Sequence, residues 1–331
     1  MSATNSPRSV PLLALASPAS LKGVLTPREA AAALAAGLRR AGMAPVELPV
    51  ADGGEGTAEV LAQTLGGTWH TATVAGPLGR PAAARWVMLP ARTAVVESAA
   101  AVGLPLVAPD DLDPLRASSR GFGELMLAAL REGPASVLAC VGGTATMDGG
   151  VGMREVIARW PAAVPLDVAC DVRSPLLGPH GAARVFGPQK GAGGAAVELL
   201  EARLASIEEL RPFRDLPGAG AGGGLGAALA ALGGRLMPGA KLVLDAIGFD
   251  ERAAEAALVV TGEGTVDATT LEGKAPGAVV RRCRDLGVRC ELFGGLVRDG
   301  VDAHALSGDP SRAREDLAGL GERLGRALVG A

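Results

Sequence analysis

The sequence predicts a two-domain α/β protein whose first domain is discontinuous. A strand, a capped helix and a second strand follow one another within ~45 residues near the start, which is a βαβ unit. From Thr68 to Ala94 the pattern changes to short strands with a tight turn, an antiparallel character foreign to that unit. Further on, AALVVTGEG (256–264) and VRCELFGG (288–295) return to apolar strands that run into glycine, as a chain would that comes back to complete its first sheet. At 331 residues the chain also exceeds a typical single core.

The elements follow in order. VPLLALA (10–16) reads as a short buried strand. In TPRE (26–29), Thr26 can cap a helix, Pro27 suits its first position and Glu29 can reach back to the cap N–H. The alanine-rich run then continues as helix to Arg40 and stops at Gly42. APVELPVADGG supplies a second strand that breaks into glycines. TWHTATVAG, AAARWVMLP and TAVVESA are strands, the first two joined by a tight turn at 77–81. RASSRGFGELMLAALREG (116–133) is a helix, SVLACVGG (136–143) and LDVACDV (166–172) are strands, and VELLEARLASIEEL (197–210) has helical apolar spacing. PGAGAGGGLG (217–226) reads as a backbone-lined loop opening the helix LGAALAALG, since no serine-rich or charged flank marks a linker. The domains are then 1–67 with 240–331, and 68–239.

Composition excludes several partners. Aromatic residues make up only 2% of the chain, with no tyrosine, which argues against base-stacking nucleic-acid modules. A net charge of −3 without a long like-charge run gives neither nucleic acid nor an anionic membrane any electrostatic support. Cys140, Cys170, Cys283 and Cys290 show no CxxC spacing, and three of them sit in apolar strand-like runs, as buried reduced thiols do. His70, His180 and His304 are too scattered for a zinc cluster. The opening MSATNSPRSVPLLALASPAS has an arginine, a short apolar run and small residues, but Pro11 and the helix start that follows speak against a secretory signal. No run of 18 apolar residues is present to span a membrane. A cytoplasmic protein, metal-independent by these criteria, is the expectation.

The chemistry is expected at strand ends. LPVADGGEGT, ACVGGTATMDGG, VVTGEGTVD and ELFGG each read as an apolar strand ending in a glycine-rich turn, and ligands of open parallel sheets sit beyond such ends. Glycine lets backbone N–H groups approach a phosphate. The acids in three of these loops would repel a bare phosphate, and make sense if they hold a divalent cation or accept a hydroxyl proton. Lys22 and Lys274 would offset phosphate charge. Together these features point to phosphoryl transfer from a nucleotide to an alcohol. The plainer alternatives stay open: GEG is a common solvated turn, and Asp148 in GGTATMDGG can simply cap a helix. Neither a Walker GxxxxGK[ST] nor a Rossmann GxGxxG follows the first strand.

The ordered motifs resemble the type I glycerate kinase family. SPASLKG (17–23) looks like its opening PDSFKG segment, and LPVADGGEGT (48–57) is similar to its next signature. VAGPLGRP (74–81), SSRGFGELMLAAL (118–130), VGGTATMDGGVGM (141–153), VACDVRSPLLGPHGAARVFGPQKGA (168–192), PGAGAGGGLG and TGEGTVDATTLEGKAP complete the set. The resemblance runs from about residue 12 to about 305. It implies a flavodoxin-like parallel-sheet α/β domain with a second mixed α/β domain inserted, and a site in the cleft between them. It also implies ATP-dependent phosphorylation of D-glycerate with Mg²⁺, the 2-phosphate being favoured. The alternative is a diverged, catalytically impaired paralogue that binds nucleotide or a small hydroxy acid. By the same resemblance, Lys22, Asp52, Asp148, Asp171, Glu263, Asp267 and Lys274 are candidate catalytic residues. Ser20, Gly53, Gly54, Glu55, Gly142, Gly143, Thr144, Gly262 and Gly264 are candidate substrate or nucleotide contacts. Asp52 and Asp267 are candidate Mg²⁺ ligands. Monomer and homodimer both remain open. Three departures stand out: Ala19 replaces the aspartate of PDSFKG, Met147 replaces an asparagine, and only REVIARWPAAVP separates Met153 from LDVAC, where the family has a longer segment. That shortening is expected to remove part of the second domain.

Overall fold

The computed structural model describes residues 11–298 and 300–330. Val10 of the predicted opening strand, and the first half of the signal-like segment, lie outside the described residues. The strands are β1 (Leu13–Ala16), β2 (Ala44–Glu47), β3 (Thr68–Ala75), β4 (Pro81–Met88), β5 (Thr93–Glu97), β6 (Ser136–Cys140), β7 (Leu166–Cys170), β8 (Arg235–Pro238), β9 (Leu258–Val266), β10 (Cys290–Val297) and β11 (His304–Ala305). The helices are α1 (Pro27–Arg40), α2 (Thr57–Leu65), α3 (Ser98–Val102), α4 (Arg120–Arg131), α5 (Val151–Val156), α6 (Ala182–Phe186) and α7 (Gly194–Ala205). They continue with α8 (Ala221–Ala231), α9 (Gly239–Ala246), α10 (Phe249–Ala254), α11 (Ala268–Glu272), α12 (Ala275–Leu286) and α13 (Ala313–Val329).

The chain forms two compact units: residues up to Val50 with those from Gly248 onward, and Ala51–Ile247. Residues 51–67 and 240–247 thus fall with the second unit, where the sequence places them in the first domain. The cause is local. α2 has no side-chain cap of its own and takes one from Glu97 at the end of β5.

Unit 1 is an all-parallel sheet in the order β11-β10-β9-β1-β2. Renumbered along the unit, this is the flavodoxin-like order 2-1-3-4-5, and the chain reverses direction across the sheet between β1 and β9. Alternate residues serve opposite faces. Ala14, Ala16, Leu258, Val260 and Phe293 share a buried cluster with Leu34 and Leu38 of α1 and Leu317 and Leu320 of α13. α12 packs on β9 and β10, burying Val279 and Cys283. The predicted capping box closes α1: Glu29 N–H donates to Thr26 Oγ1 at 3.2 Å, and Thr26 N–H donates to Glu29 Oε2 at 2.9 Å. That returned backbone bond, with Arg314 beside it, pulls the Glu29 carboxyl down to about 2.

Unit 2 holds a six-stranded mixed sheet in the order β3-β4-β5-β6-β7-β8. β3, β4 and β5 pair antiparallel, and β5 through β8 are parallel. The hairpin register is reinforced by cross-strand partners: His70 stacks on Trp86, which it faces directly, with ring centroids 4.2 Å apart. Trp86, Phe122, Met126, Leu225 and Leu229 belong to one core cluster. The shortened connection after α5 does not interrupt this sheet. The Trp160 indole N–H donates to the Val164 carbonyl at 2.6 Å, and β7 starts two residues later in register with β6.

Two sequence expectations about strand ends need correction. Gly262 and Gly264 lie inside β9, and Gly294 and Gly295 inside β10, not in turns beyond them. The two strands stay paired as far as Val266 and Val297. A Cβ on Gly262 would overlap the Phe293 carbonyl, so the glycine there serves strand packing.

α1 and α13 also approach through glycine: a Cβ on Gly37 would overlap the Ala318 carbonyl, and one on Gly321 would crowd the Leu34 carbonyl. Helix preference alone would make Gly37→Ala stabilising by about 1 kcal/mol. Forcing the two backbones apart costs about 1–3 kcal/mol. Packing should win, so Gly37→Ala is expected to lower the urea midpoint of unfolding; a raised midpoint would show that the helix contact is not this close.

Candidate active site

In unit 1 the loop that follows β1 lies against β9. Ser17 N–H and Ala19 N–H donate to the carbonyls of Val260 and Gly262 at 2.8 and 2.9 Å, and Thr261 Oγ1 donates to the Ser17 carbonyl at 2.7 Å. Ser20 and Lys22 are exposed on this loop, and a Cβ on Gly264 would come within 3.3 Å of the Lys22 backbone nitrogen. This is the reversal point of the strand order, where an open parallel sheet offers its ligand crevice.

Glu263, Asp267 and Lys274 form one network there. Asp267 caps α11: its Oδ1 accepts from Thr269 N–H at 2.9 Å and Thr270 N–H at 3.2 Å. The Thr269 hydroxyl bond at 2.6 Å is the main force holding the Asp267 carboxyl below its usual range. Asp267 N–H donates to Thr270 Oγ1 at 3.1 Å, and that hydroxyl donates to Glu263 Oε1 at 2.7 Å. Lys274 Nζ reaches the same Glu263 oxygen at 3.3 Å from the first cap position of α12. Glu263 is largely sheltered while Lys274 is partly open, so the lysine presents charge outward from an anchored base.

In unit 2 the predicted residues gather where β5, β6 and β7 end. Asp52 Oδ1 accepts from Gly54 N–H at 3.2 Å, closing the ADGGEGT turn. A Cβ on Gly53 would sit 2.7 Å from both Ala169 Cβ and Gly239 Cα, and one on Gly142 would sit 3.3 Å from Gly54 Cα. Ser98 Oγ bonds both the N–H and the carbonyl of Gly142, and Leu104 N–H donates to the Gly143 carbonyl at 2.8 Å. The exposed Glu55 carboxylate lies 3.6 Å from where a Gly143 Cβ would be. Asp171 is exposed just past β7, and its charge adds to the burial that raises the Cys170 thiol to about 11.

Two predicted residues face inward. Thr144 is buried and its hydroxyl meets Lys190 Nζ at 3.1 Å. Asp148 uses both oxygens: Oδ1 accepts from Gly150 N–H at 3.0 Å, and Oδ2 from Ser119 N–H and Ser119 Oγ at 2.8 Å each and Gly152 N–H at 3.2 Å. The bonds from Gly150 and Gly152 N–H fit the plainer reading of Asp148 as a cap at the start of α5, and the two from Ser119 tie it to the start of α4.

Sequence reasoning missed Glu97 and Lys190. Glu97 accepts from Gly56 N–H at 3.2 Å and Ala58 N–H at 2.6 Å, replacing the cap that Gly56, which has no side chain, cannot provide. Burial pushes its carboxyl up, against the two backbone bonds that pull it down. Burial, and then the charges of Glu97 and Asp52, push the Cys140 thiol up as well, so these acids cluster at the end of β6. An acid ending a strand whose partner loop lies some 40 residues earlier leaves no local sequence signal.

The strand orders of the two sheets define a two-unit α/β protein with a parallel and a mixed sheet. The chain belongs to the glycerate kinase family, whose model matches residues 14–159 and 154–309. The two matched stretches overlap at residues 154–159, within the shortened connection. A glycerate 2-kinase of Escherichia coli K12 is 38% identical over 302 residues, covering 78% of each chain. A glycerate kinase of Bacillus subtilis 168 is 37% identical over 334 residues, covering 86% of this chain and 87% of its own. The crystal structure of a provisionally assigned glycerate kinase 2 from Salmonella typhimurium LT2 superposes with a TM-score of 0.82 at 32% identity, covering 97% of this chain and 99% of that one.

Glu97 yields a pH test. A carboxyl raised on folding binds its proton more tightly in the folded state, so its contribution to stability is full below the ordinary value of 4.5 and is lost as pH rises through the raised value. Glu97→Gln removes that term. Urea unfolding across acid to neutral pH should show wild type losing stability relative to Glu97→Gln as pH rises. A constant difference would mean that Glu97 titrates alike in both states.

Proposed function

We propose that the chain transfers the terminal phosphoryl group of ATP to a hydroxyl of D-glycerate, with Mg²⁺, and that 2-phosphoglycerate is the product. The observation that carries this reading is the Glu263–Thr270–Asp267–Lys274 network beside the exposed Ser20 and Lys22 at the strand-order reversal of unit 1. Family membership supports the substrate, and the name of the Escherichia coli relative supports the 2-position.

The roles follow from what each side chain has left to offer. Lys22 and Lys274 carry positive charge at exposed or partly open positions and would offset phosphate oxygens. Asp267 and Asp52 each accept hydrogen bonds on Oδ1, and among the described residues Oδ2 of each accepts none. A hard carboxylate oxygen left over in this way suits Mg²⁺, so either residue fits as a ligand. When bound, the ion neutralises charge on the transferring phosphate. Asp148 does not fit, because both of its oxygens are committed. Exposed Glu55 and Asp171 remain candidates to take the glycerate hydroxyl proton. Gly142 and Gly54 N–H already donate to Ser98 Oγ and Asp52 Oδ1, which leaves, among the described residues, the N–H groups of Gly53 and Gly143 to meet the phosphates. Among the described residues no helix is long and apolar enough to cross a membrane.

A second reading, a relative that binds these ligands without turnover, rests on two buried positions: Ala19, where a carboxylate would stand, and Met147. ADP release by purified protein with ATP, Mg²⁺ and D-glycerate separates the two. Glycerate-dependent release is expected; bound nucleotide with no release favours the second reading. Lys274→Ala should then cut turnover by about tenfold or more, and wild-type rates at saturating ATP would refute its role. Ala19→Asp should raise the rate; an unchanged or lower rate would mean that another acid has taken over that task.

A further inference from the structure

Among the described residues Lys190 is the one charged side chain in the buried interior, 3% exposed. It stands on the single turn Pro188–Lys190 that follows α6. Its Nζ donates to Thr144 Oγ1 at 3.1 Å and to the Thr146 carbonyl at 2.7 Å. Both acceptors belong to the 142–146 turn beyond β6, whose other ties are of a different kind. Leu104 N–H bonds the Gly143 carbonyl, Ala145 N–H bonds the Val102 carbonyl, and Ser98 bonds Gly142. Those bonds hold the turn to the segment that follows β5. Lys190 holds it from the interior, through a side chain 44 residues away from Thr146.

Burial pushes the ammonium down to about 7, opposed only by the charge of Asp148. The fold therefore bears a desolvation cost at this position. Replacing a buried charge with an apolar side chain of similar size is often neutral or stabilising, so stability alone does not account for a lysine here. A demand on the shape of the turn does.

We propose that Lys190 is a positioning residue for phosphoryl transfer: its buried side chain sets the conformation of the 142–146 turn without touching substrate, and turnover depends on that conformation. The proposal rests on the kinase reading above, and the turn carries Gly142 and Gly143, the predicted phosphate contacts.

The test pairs Lys190→Met, which keeps length and loses every donor, with Lys190→Gln, which keeps a donor on a shorter arm. Steady-state kinetics and hydrogen exchange read by mass spectrometry are measured on both and on wild type. Lys190→Met should stay folded, with kcat lowered about tenfold or more and KM for ATP and glycerate within about threefold. Amide exchange over 141–148 should quicken about tenfold, with other peptides unchanged. Lys190→Gln should recover part of both. A folded Lys190→Met with kcat within about twofold of wild type, or with 141–148 as protected as before, would overturn the proposal. If Lys190→Met does not fold, Lys190→Gln decides: wild-type kcat and exchange sink the idea, intermediate values support it. Should wild type itself release no ADP, the kinase reading fails, while the exchange measurement still tests whether Lys190 holds the turn.

Discussion

Backbone lying directly on backbone is the constraint from which the rest of this structure follows. Several of the predicted site loops meet their supports backbone to backbone at glycines. A Cβ on Gly239 would overlap the Asp52 carbonyl, one on Gly223 would overlap the Thr146 carbonyl, and one on Gly224 would fall 2.8 Å from Gly149 Cα. Three consecutive glycines, 222–224, take φ values of 61°, 73° and 96°, a left-handed run that L residues with side chains avoid. The run is therefore not a linker. It is the tight opening of α8, packed under the GGTATMDGG loop, with Gly149 N–H donating to the Gly223 carbonyl at 3.0 Å. Glycine here brings loops close to one another, and access to ligand follows from the shape so produced.

How much of this could be read from the sequence depended on range. The Thr26–Glu29 capping box, the hairpin turn at 77–81, and the placing of 217–226 at a helix start were legible because each signal lies within a few residues. So was the chain's return to the first sheet, since β9 and β10 keep the apolar pattern of β1. Asp267, Glu263 and Lys274 were legible as a group because they stand within twelve residues of one another. Glu97 and Lys190 were not, because their partners lie some 40 residues or more away in sequence, and the 168–192 motif that contains Lys190 does not show where its side chain goes. Strand ends were misread for a different reason. A glycine in a strand looks like a turn until its neighbour is known, and at Gly262 the neighbour is the Phe293 backbone.

The short connection between α5 and β7 shows what the second unit can lose. Ile157 N–H still bonds the Met153 carbonyl at 2.9 Å, a turn forms from Pro161 to Val164, and Trp160 closes it. β7 then pairs with β6 from Leu166 onward, and β8 with β7. The short connection thus leaves β6, β7 and β8 paired in one sheet. Asp148, Ser119 and Gly152 remain joined at the start of α5, so the residues just before the cut keep their support.

If glycine contacts set the loops, adding one methyl group at a contact should matter far more than adding one elsewhere. Gly239, pressed on the Asp52 carbonyl, and Gly193, with open space around it, supply that comparison within one unit. The decisive measurement is kcat/KM for glycerate-dependent ADP release by Gly239→Ala and by Gly193→Ala. The account predicts a loss of about tenfold or more for the first and a change within about twofold for the second. Equal activity in the two variants would contradict it.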